Sequence, residues 1–140
     1  MNPDLKREIM IDNYNNPFNK QTPKGNYLTA NGNKISCIDN INLYIKIENN
    51  IIKEAYFDGE ACAISTSSTS IMLRNIINKN ITEVQNYIAN FERMINEKPY
   101  DPKILNSAIV YDEIYKQEAR KTCATLPYDT LKKILNEYKN

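Results

Sequence analysis

The sequence contains no histidine, and this absence removes several kinds of chemistry at once. Enzymes that activate a serine or cysteine nucleophile with an imidazole base cannot be built from this chain alone. Metal sites that use imidazole ligands are excluded for the same reason. Any metal bound by side chains of this protein must therefore be held by cysteine, aspartate or glutamate.

The chain also lacks a charge excess of either sign and a long apolar run. Its 140 residues carry a formal net charge of +1 without any block of five like charges, whereas proteins that bind nucleic-acid phosphates usually show a basic stripe. No run approaches the roughly 18 apolar residues of a membrane helix. Charged residues within positions 1–14 interrupt the apolar stretch that a signal peptide needs. We expect a cytoplasmic protein without a nucleic-acid or membrane partner.

The residue pattern in the first part of the chain predicts a sheet. With 41% hydrophobic and 25% charged residues, the composition is that of a globular protein, and its length suits one domain spanning residues 1–140. Apolar and polar residues alternate from Ile41 to Glu48, which predicts a half-buried strand. The turn pair Asn49-Asn50 should return the chain into a partner strand over 51–57. A shorter strand over 27–31, ending at the turn pair Asn31-Gly32, would make the third.

Helical signals surround this predicted antiparallel sheet. Asn2-Pro3 indicates a cap and first residue of a helix running to about Tyr14. Four further helices are expected: one over 67–79, one after a capping box of Thr82 and Gln85, one after Asp101-Pro102, and a last one opened by Cys123. The expected class is α+β, with a three-stranded antiparallel sheet packed against helices.

Three cysteines are the most chemically informative residues. Their odd number and wide spacing argue against a disulfide framework in a reducing compartment. Cys37 lies in a predicted bend with Asp39 two residues on, Cys62 follows the hairpin just before a helix, and Cys123 opens the last helix. The positive end of a helix dipole favours thiolate over thiol, and thiolate is the form that binds metals and accepts sulfur.

The residues by themselves leave two interpretations open. A free cysteine is among the most frequently buried residue types and often acts as a small hydrophobic side chain. Asp39 alone fits a turn or helix cap equally well, and the sequence has no CxxC pair that would indicate a zinc ribbon. A three-thiolate metal site and three structural cysteines are both consistent with the spacing.

Three segments resemble the IscU/NifU/SufU family of iron–sulfur cluster assembly proteins. Residues 57–65 (FDGEACAIS) are similar to the family's segment around its second cysteine, 121–126 (KTCATL) to the third, and 37–39 (CID) to the first; residues 10–17 (MIDNYNNP) also fit. The chain resembles the SufU branch in particular. That branch lacks the histidine beside the third cysteine and has a longer segment between the second and third cysteines.

The resemblance implies a fold, a ligand set and a cofactor. The fold would be IscU/NifU-like, and the metal ligands would be Cys37, Asp39, Cys62 and Cys123. The cofactor would be zinc, with iron or a [2Fe–2S] cluster on the same ligands as the alternative. Arg120 matches an arginine near the third cysteine of the SufU branch, where it would support a thiolate or persulfide; a surface salt bridge is its alternative role.

The implied activity is sulfur transfer rather than enzymatic turnover in the usual sense. A SufS-like cysteine desulfurase would pass persulfide sulfur to Cys37, and downstream cluster assembly proteins would receive it. One alternative is a scaffold that assembles a [2Fe–2S] cluster on the same residues. An alternative of another class is a zinc-stabilised module that only binds a protein partner.

Two departures from the family pattern and one unusual run have structural consequences. Ile38 replaces a glycine between the first cysteine and Asp39. Pro127 falls near the start of the predicted last helix, where proline is tolerated only in the first turn. The hydroxyl-rich run from Ser65 to Ser70 either lets a helix pack closely beneath the site or caps that helix.

Overall fold

A three-stranded antiparallel sheet with helices against one face forms the molecule, as the sequence predicts. The computed structural model describes residues 1–34 and 38–139. The strands are β1 (Leu28–Asn33), β2 (Asn40–Glu48) and β3 (Ile51–Glu60), paired in the order β1-β2-β3. The α+β class is therefore confirmed.

The alternating pattern of β2 places one face of the sheet in the core. Ile41, Leu43 and Ile45 are completely buried, while the residues between them are half-buried on the opposite face. Asn49 and Asn50 both adopt positive φ angles and join β2 to β3 in the predicted tight turn. The central strand thus carries the hydrophobic core on a single side.

Helices precede and follow the sheet. They are α1 (Pro3–Asn15), α2 (Ala63–Ile76), α3 (Ile81–Ile95), the short α4 (Pro102–Leu105) and α5 (Glu118–Lys139), with 3₁₀ segments at Asn106–Tyr111 and Ile114–Lys116. Asn2 caps α1 as predicted, because its side chain accepts a hydrogen bond from the Leu5 N–H at 2.8 Å. Within the described residues, no helix is both long enough and apolar enough to cross a bilayer.

The predicted turn at Asn31-Gly32 is wrong, because β1 continues through both residues to Asn33. A Cβ atom on Gly32 would lie 2.0 Å from the Thr130 Oγ1 atom of α5. Glycine is needed here because a helix packs directly on the strand, not because the backbone turns.

Two helix starts also differ from the prediction. Helix α2 begins at Ala63 instead of Ser67. Helix α3 begins with a capping box of Asn80 and Glu83, rather than of Thr82 and Gln85. After Asp101-Pro102 the α-helix lasts four residues and then tightens into a 3₁₀ segment.

Helix α2 packs between α1 and α5 with an unusually polar, yet buried, surface. Its run of hydroxyl residues is completely or almost completely buried: Ser65, Thr66, Ser67, Ser68, Thr69 and Ser70. The Ser70 hydroxyl donates to Asn13 Oδ1 of α1 at 2.7 Å, and the Ser68 hydroxyl donates to the Ala124 carbonyl of α5 at 2.6 Å. The run therefore serves close helix packing, and the capping of α2 comes from Cys62 instead.

Candidate metal centre

Three of the four predicted ligands converge at one end of the sheet. A carboxylate oxygen of Asp39 and the Sγ atoms of Cys62 and Cys123 all lie within 4.8 Å of one another. Asp39 directly precedes β2, Cys62 lies between β3 and α2, and Cys123 belongs to α5. The fourth predicted ligand, Cys37, lies outside the described residues, so its role stays a prediction.

Asp39 is almost completely buried, with 1% of its surface exposed. Its Oδ1 atom accepts a hydrogen bond from the Cys62 N–H at 2.7 Å, and its Oδ2 atom lies 2.5 Å from the Ser65 hydroxyl. A carboxylate taken out of water needs such partners to offset the loss of hydration. Asp39 is thus bound to the start of α2 and does not act as a simple turn residue.

Cys62 caps α2 with its side chain. Its Sγ atom accepts a hydrogen bond from the Ser65 N–H at 3.4 Å and lies 3.6 Å from Asp39 Oδ2. A sulfur at this position meets the unpaired N–H groups and the positive end of the helix dipole, which favour negative charge. The predicted placement of Cys62 just before a helix is confirmed.

Cys123 lies elsewhere in its helix than predicted. It is the sixth residue of α5, which begins at Glu118, so it does not lie at the N-terminus. Burial, hydrogen bonds with Asp39 and Cys62, and the negative charges of both groups raise the pKa of the Cys123 thiol to about 12. Without a cation this side chain is a thiol at neutral pH, contrary to the expectation from the helix dipole.

The strand ends beside Asp39 are held by side-chain amides. The Asn31 Nδ2 group donates to Asn40 Oδ1 at 2.7 Å and to Asn42 Oδ1 at 2.9 Å, and Asn33 Nδ2 donates to Asn31 Oδ1 at 2.8 Å. The two bonds from Asn31 join β1 to β2 at the end of the sheet next to Asp39, and the third lies within β1. These hydrogen bonds hold the strand end that directly follows Asp39 in place.

Gly59 brings β3 unusually close to the residue after Asp39. Its φ angle is +106°, and a Cβ atom there would lie 2.1 Å from the Asn40 carbonyl oxygen. Gly59→Ala should therefore combine positive-φ strain, about 1–3 kcal/mol, with a backbone clash costing a similar amount. Urea unfolding should show this loss of stability, and metal binding should weaken because Asn40 adjoins Asp39.

Gly25→Ala is the matched control for this prediction. Gly25 has a similar φ of +120°, but its Cβ would meet only Tyr27 Cε1, at an ordinary 3.7 Å. The control should show the strain alone and leave metal binding unchanged. Equal destabilisation by the two substitutions would show that the approach to Asn40 is unimportant.

Arg120 lies on the surface of α5, one turn before Cys123. It lines a groove of about 350 Å³ together with Lys6 and Arg7 of α1 and Ile64 of α2. Among the ion pairs of the described residues none involves Arg120. The salt-bridge alternative is thus not observed, and the predicted support of a thiolate or persulfide stays a prediction.

One pair of donor atoms is spaced as in a tetrahedral zinc site, and all three donor atoms lie within 4.8 Å of one another. With Zn–S and Zn–O bonds of about 2.3 and 2.0 Å, donors in such a site lie about 3.5–3.8 Å apart. The 3.6 Å between Cys62 Sγ and Asp39 Oδ2 falls in that range. Two soft sulfur donors and one carboxylate also match the chemistry of zinc or iron better than that of magnesium or calcium.

Two residues contribute to the site in ways that the sequence analysis missed. Ser65 contacts both Asp39 and Cys62, and its hydroxyl also lies 3.0 Å from the Cys123 carbonyl oxygen. Pro127 is the tenth residue of α5, well beyond the first turn to which it was assigned. The available signal for Ser65 was its spacing of three residues after a capping side chain.

Comparison with known proteins identifies the family. The NifU-like N-terminal domain matches residues 5–124. The scaffold protein IscU of Thermotoga maritima, named for iron–sulfur cluster assembly, is 36% identical over 106 residues, covering 76% of this chain and 75% of that protein. The zinc-dependent sulfurtransferase SufU of Bacillus subtilis is 34% identical over 130 residues, covering 92% and 88%.

Comparison of the fold with solved structures leads to the same family. A crystal structure from Fervidobacterium islandicum, described as a candidate iron–sulfur cluster assembly scaffold protein for the SUF system, superposes with a TM-score of 0.85 at 28% identity, covering 89% of this chain and 92% of that one. The sequence match, the shared fold and the converging cysteines agree. The chain belongs to the NifU-like N-terminal domain family.

Proposed function

We propose that this protein accepts sulfur from a cysteine desulfurase during iron–sulfur cluster assembly and holds zinc through Cys37, Asp39, Cys62 and Cys123. The observation that carries the proposal is the convergence of Asp39, Cys62 and Cys123 in a chain without histidine. Cys37, two residues before Asp39 in the sequence, would complete a tetrahedral set of three sulfurs and one oxygen.

Zinc is favoured over a cluster by the donor set and by the relatives. The histidine that would serve as a further cluster ligand is missing from the whole sequence. The relative named as a zinc-dependent sulfurtransferase aligns with 92% of the chain, against 76% for the T. maritima scaffold. Assembly of a [2Fe–2S] cluster on the same residues is the second candidate, supported by the names of the scaffold relatives.

The proposed transfer requires no outside oxidant or reductant. The Cys37 thiolate attacks the outer sulfur of a persulfide on the desulfurase, and a new S–S bond forms to Cys37 Sγ. The S–S bond of the donor breaks, and its electron pair leaves on the desulfurase cysteine, which becomes a thiolate. Downstream cluster assembly proteins would then receive the sulfur from Cys37.

Other residues of the site would support this transfer. Zinc, when bound, stabilises the deprotonated cysteines, so Cys123 must release its proton on binding. Arg120, exposed one turn before Cys123, would place a positive charge near the incoming persulfide. Such a charge favours an anionic sulfur over its protonated form.

The protein purified without added metal should contain about one zinc per chain. Its X-ray absorption spectrum should show sulfur and oxygen donors at about 2.3 and 2.0 Å, because the ligands offer both. The variant with all three cysteines replaced by serine should be free of zinc. Purely light-atom donors, or full zinc occupancy in that variant, would contradict the proposed ligands, whereas a stable iron–sulfur chromophore would favour the scaffold.

A further inference from the structure

Ser65 contacts all three ligands described at the site. Its hydroxyl oxygen lies 2.5 Å from Asp39 Oδ2 and 3.0 Å from the Cys123 carbonyl oxygen, and its N–H donates to Cys62 Sγ at 3.4 Å. The side chain is completely buried, so bulk water does not compete for these bonds. One residue therefore connects the loop before β2, the start of α2 and the second turn of α5.

Pro127 explains why the Cys123 carbonyl has no hydrogen-bond donor within its own helix. In an α-helix the carbonyl of residue 123 accepts the N–H of residue 127. Pro127 has no N–H, and a proline ring inside a helix crowds the carbonyl four residues earlier. The Ser65 hydroxyl of the neighbouring helix lies 3.0 Å from this carbonyl and can donate to it.

Ser68 makes the same kind of contact one turn further along without touching a ligand. Its hydroxyl donates to the Ala124 carbonyl of α5 at 2.6 Å, and it is as fully buried as Ser65. Ser68 thus separates the effect of joining α2 to α5 from the effect of holding the ligands.

We propose that Ser65 is the positioning residue of the metal site, an inference that rests on the proposed function for the identity of the bound ion. Its hydroxyl orients the Asp39 carboxylate and is also within hydrogen-bond distance of the Cys123 carbonyl, which Pro127 leaves without its helical donor. The hydroxyl carries one proton and donates to one oxygen at a time, with Asp39 the nearer acceptor. Two ligands from distant parts of the chain are thereby held in place before a metal binds.

The metal-free protein tests the link to Pro127. Ser65→Ala should lower the melting temperature by several degrees, because the Cys123 carbonyl and the Asp39 carboxylate lose a buried donor. In a Pro127→Ala background the same substitution should cost clearly less, since residue 127 then supplies the helical N–H. Ser68→Ala should cost the same in both backgrounds. An equal cost of Ser65→Ala in both backgrounds would overturn the link.

Zinc affinity tests the positioning itself. In competition with a chromophoric chelator, Ser65→Ala should bind zinc about 10–100-fold more weakly, as is usual when a residue that orients a ligand is lost. Cobalt(II) bound to this variant should show altered d–d bands, while Ser68→Ala should match the parent protein in both measurements. Equal zinc affinity of Ser65→Ala and parent would refute the positioning role. If the parent itself bound no zinc, the proposed function would fail together with that role, and the melting experiment would still decide the link to Pro127.

Discussion

Replacing Cys37 by serine is expected to abolish the stimulation of a matched cysteine desulfurase by this protein. The serine hydroxyl is a far weaker nucleophile than a thiolate and forms no persulfide, so the proposed acceptor would be lost completely. Cys62 and Cys123 are held at α2 and within α5, and they are better suited to stay on the metal. The measurement is the rate of alanine formation from cysteine, with mass spectrometry of the trapped persulfide.

Control variants distinguish loss of the acceptor from damage to the fold. Ser36→Ala, one residue earlier in the sequence, should keep full stimulation. The melting temperature of the metal-free Cys37→Ser protein should equal that of the metal-free parent, since serine differs from cysteine only by an oxygen in place of the sulfur. Stimulation that survives Cys37→Ser, or a persulfide found only on Cys123, would show that another thiol accepts sulfur.

The parent protein decides between the proposed classes in the same assay. A protein that does not stimulate the desulfurase but holds a stable reconstituted [2Fe–2S] cluster would be a scaffold. A protein that binds zinc and neither stimulates nor carries sulfur would be the zinc-stabilised interaction module. Stimulation together with persulfide on Cys37 is the result expected here.

Removal of the metal with a strong chelator should lower the melting temperature by several degrees. The ion would tie together the loop before β2, the start of α2 and the second turn of α5, which are distant in sequence. A loss of about 2 kcal/mol would produce a shift of this size in a domain of this length. The apolar core, including Ile41, Leu43 and Phe91, is completely buried and should keep the metal-free chain folded.

The matched control is the Cys62→Ser, Cys123→Ser double variant. It should melt at the same temperature with and without chelator, because it has already lost two ligands. Calorimetry with metal analysis of each sample gives the comparison. An unchanged melting curve of the parent after verified zinc removal would contradict the structural role of the ion.

Local signals were sufficient for the central strand, the turn that follows it and the first helix. The alternation along β2, the Asn49-Asn50 turn and the Asn2-Pro3 cap each operate within a few residues of the chain. The structure confirms all three because neighbouring residues alone determine these features.

The start of α3 depended on contacts that no local rule contains. Thr82 and Asn80 are both suitable capping residues, and the sequence analysis chose the wrong one. The Ile81 N–H donates to the Asn50 carbonyl at 2.9 Å, and the Ile52 N–H donates to the Lys79 carbonyl at 2.9 Å. These bonds dock the segment on the hairpin and leave Asn80 at the cap position.

The last helix was misplaced for a related reason. The sequence analysis opened this helix at Cys123, where Pro127 would fall in the first turn, because a proline further inside a helix is costly. In the folded protein the Ser65 hydroxyl of α2 lies 3.0 Å from the carbonyl that the proline leaves without its helical donor. Only the packing of α2 on α5 makes the longer helix acceptable.

The sequence by itself determined the chemistry of the candidate site: without histidine, only thiol and carboxylate ligands are available. Which of these groups meet was decided by tertiary structure. Asp39 and Cys123 approach each other because α5 packs on β1 where Gly32 has no side chain, and because Ser65 holds both of them from α2. Contacts between such distant side chains depend on how helices and strands pack, whereas sequence patterns report mainly on neighbouring residues.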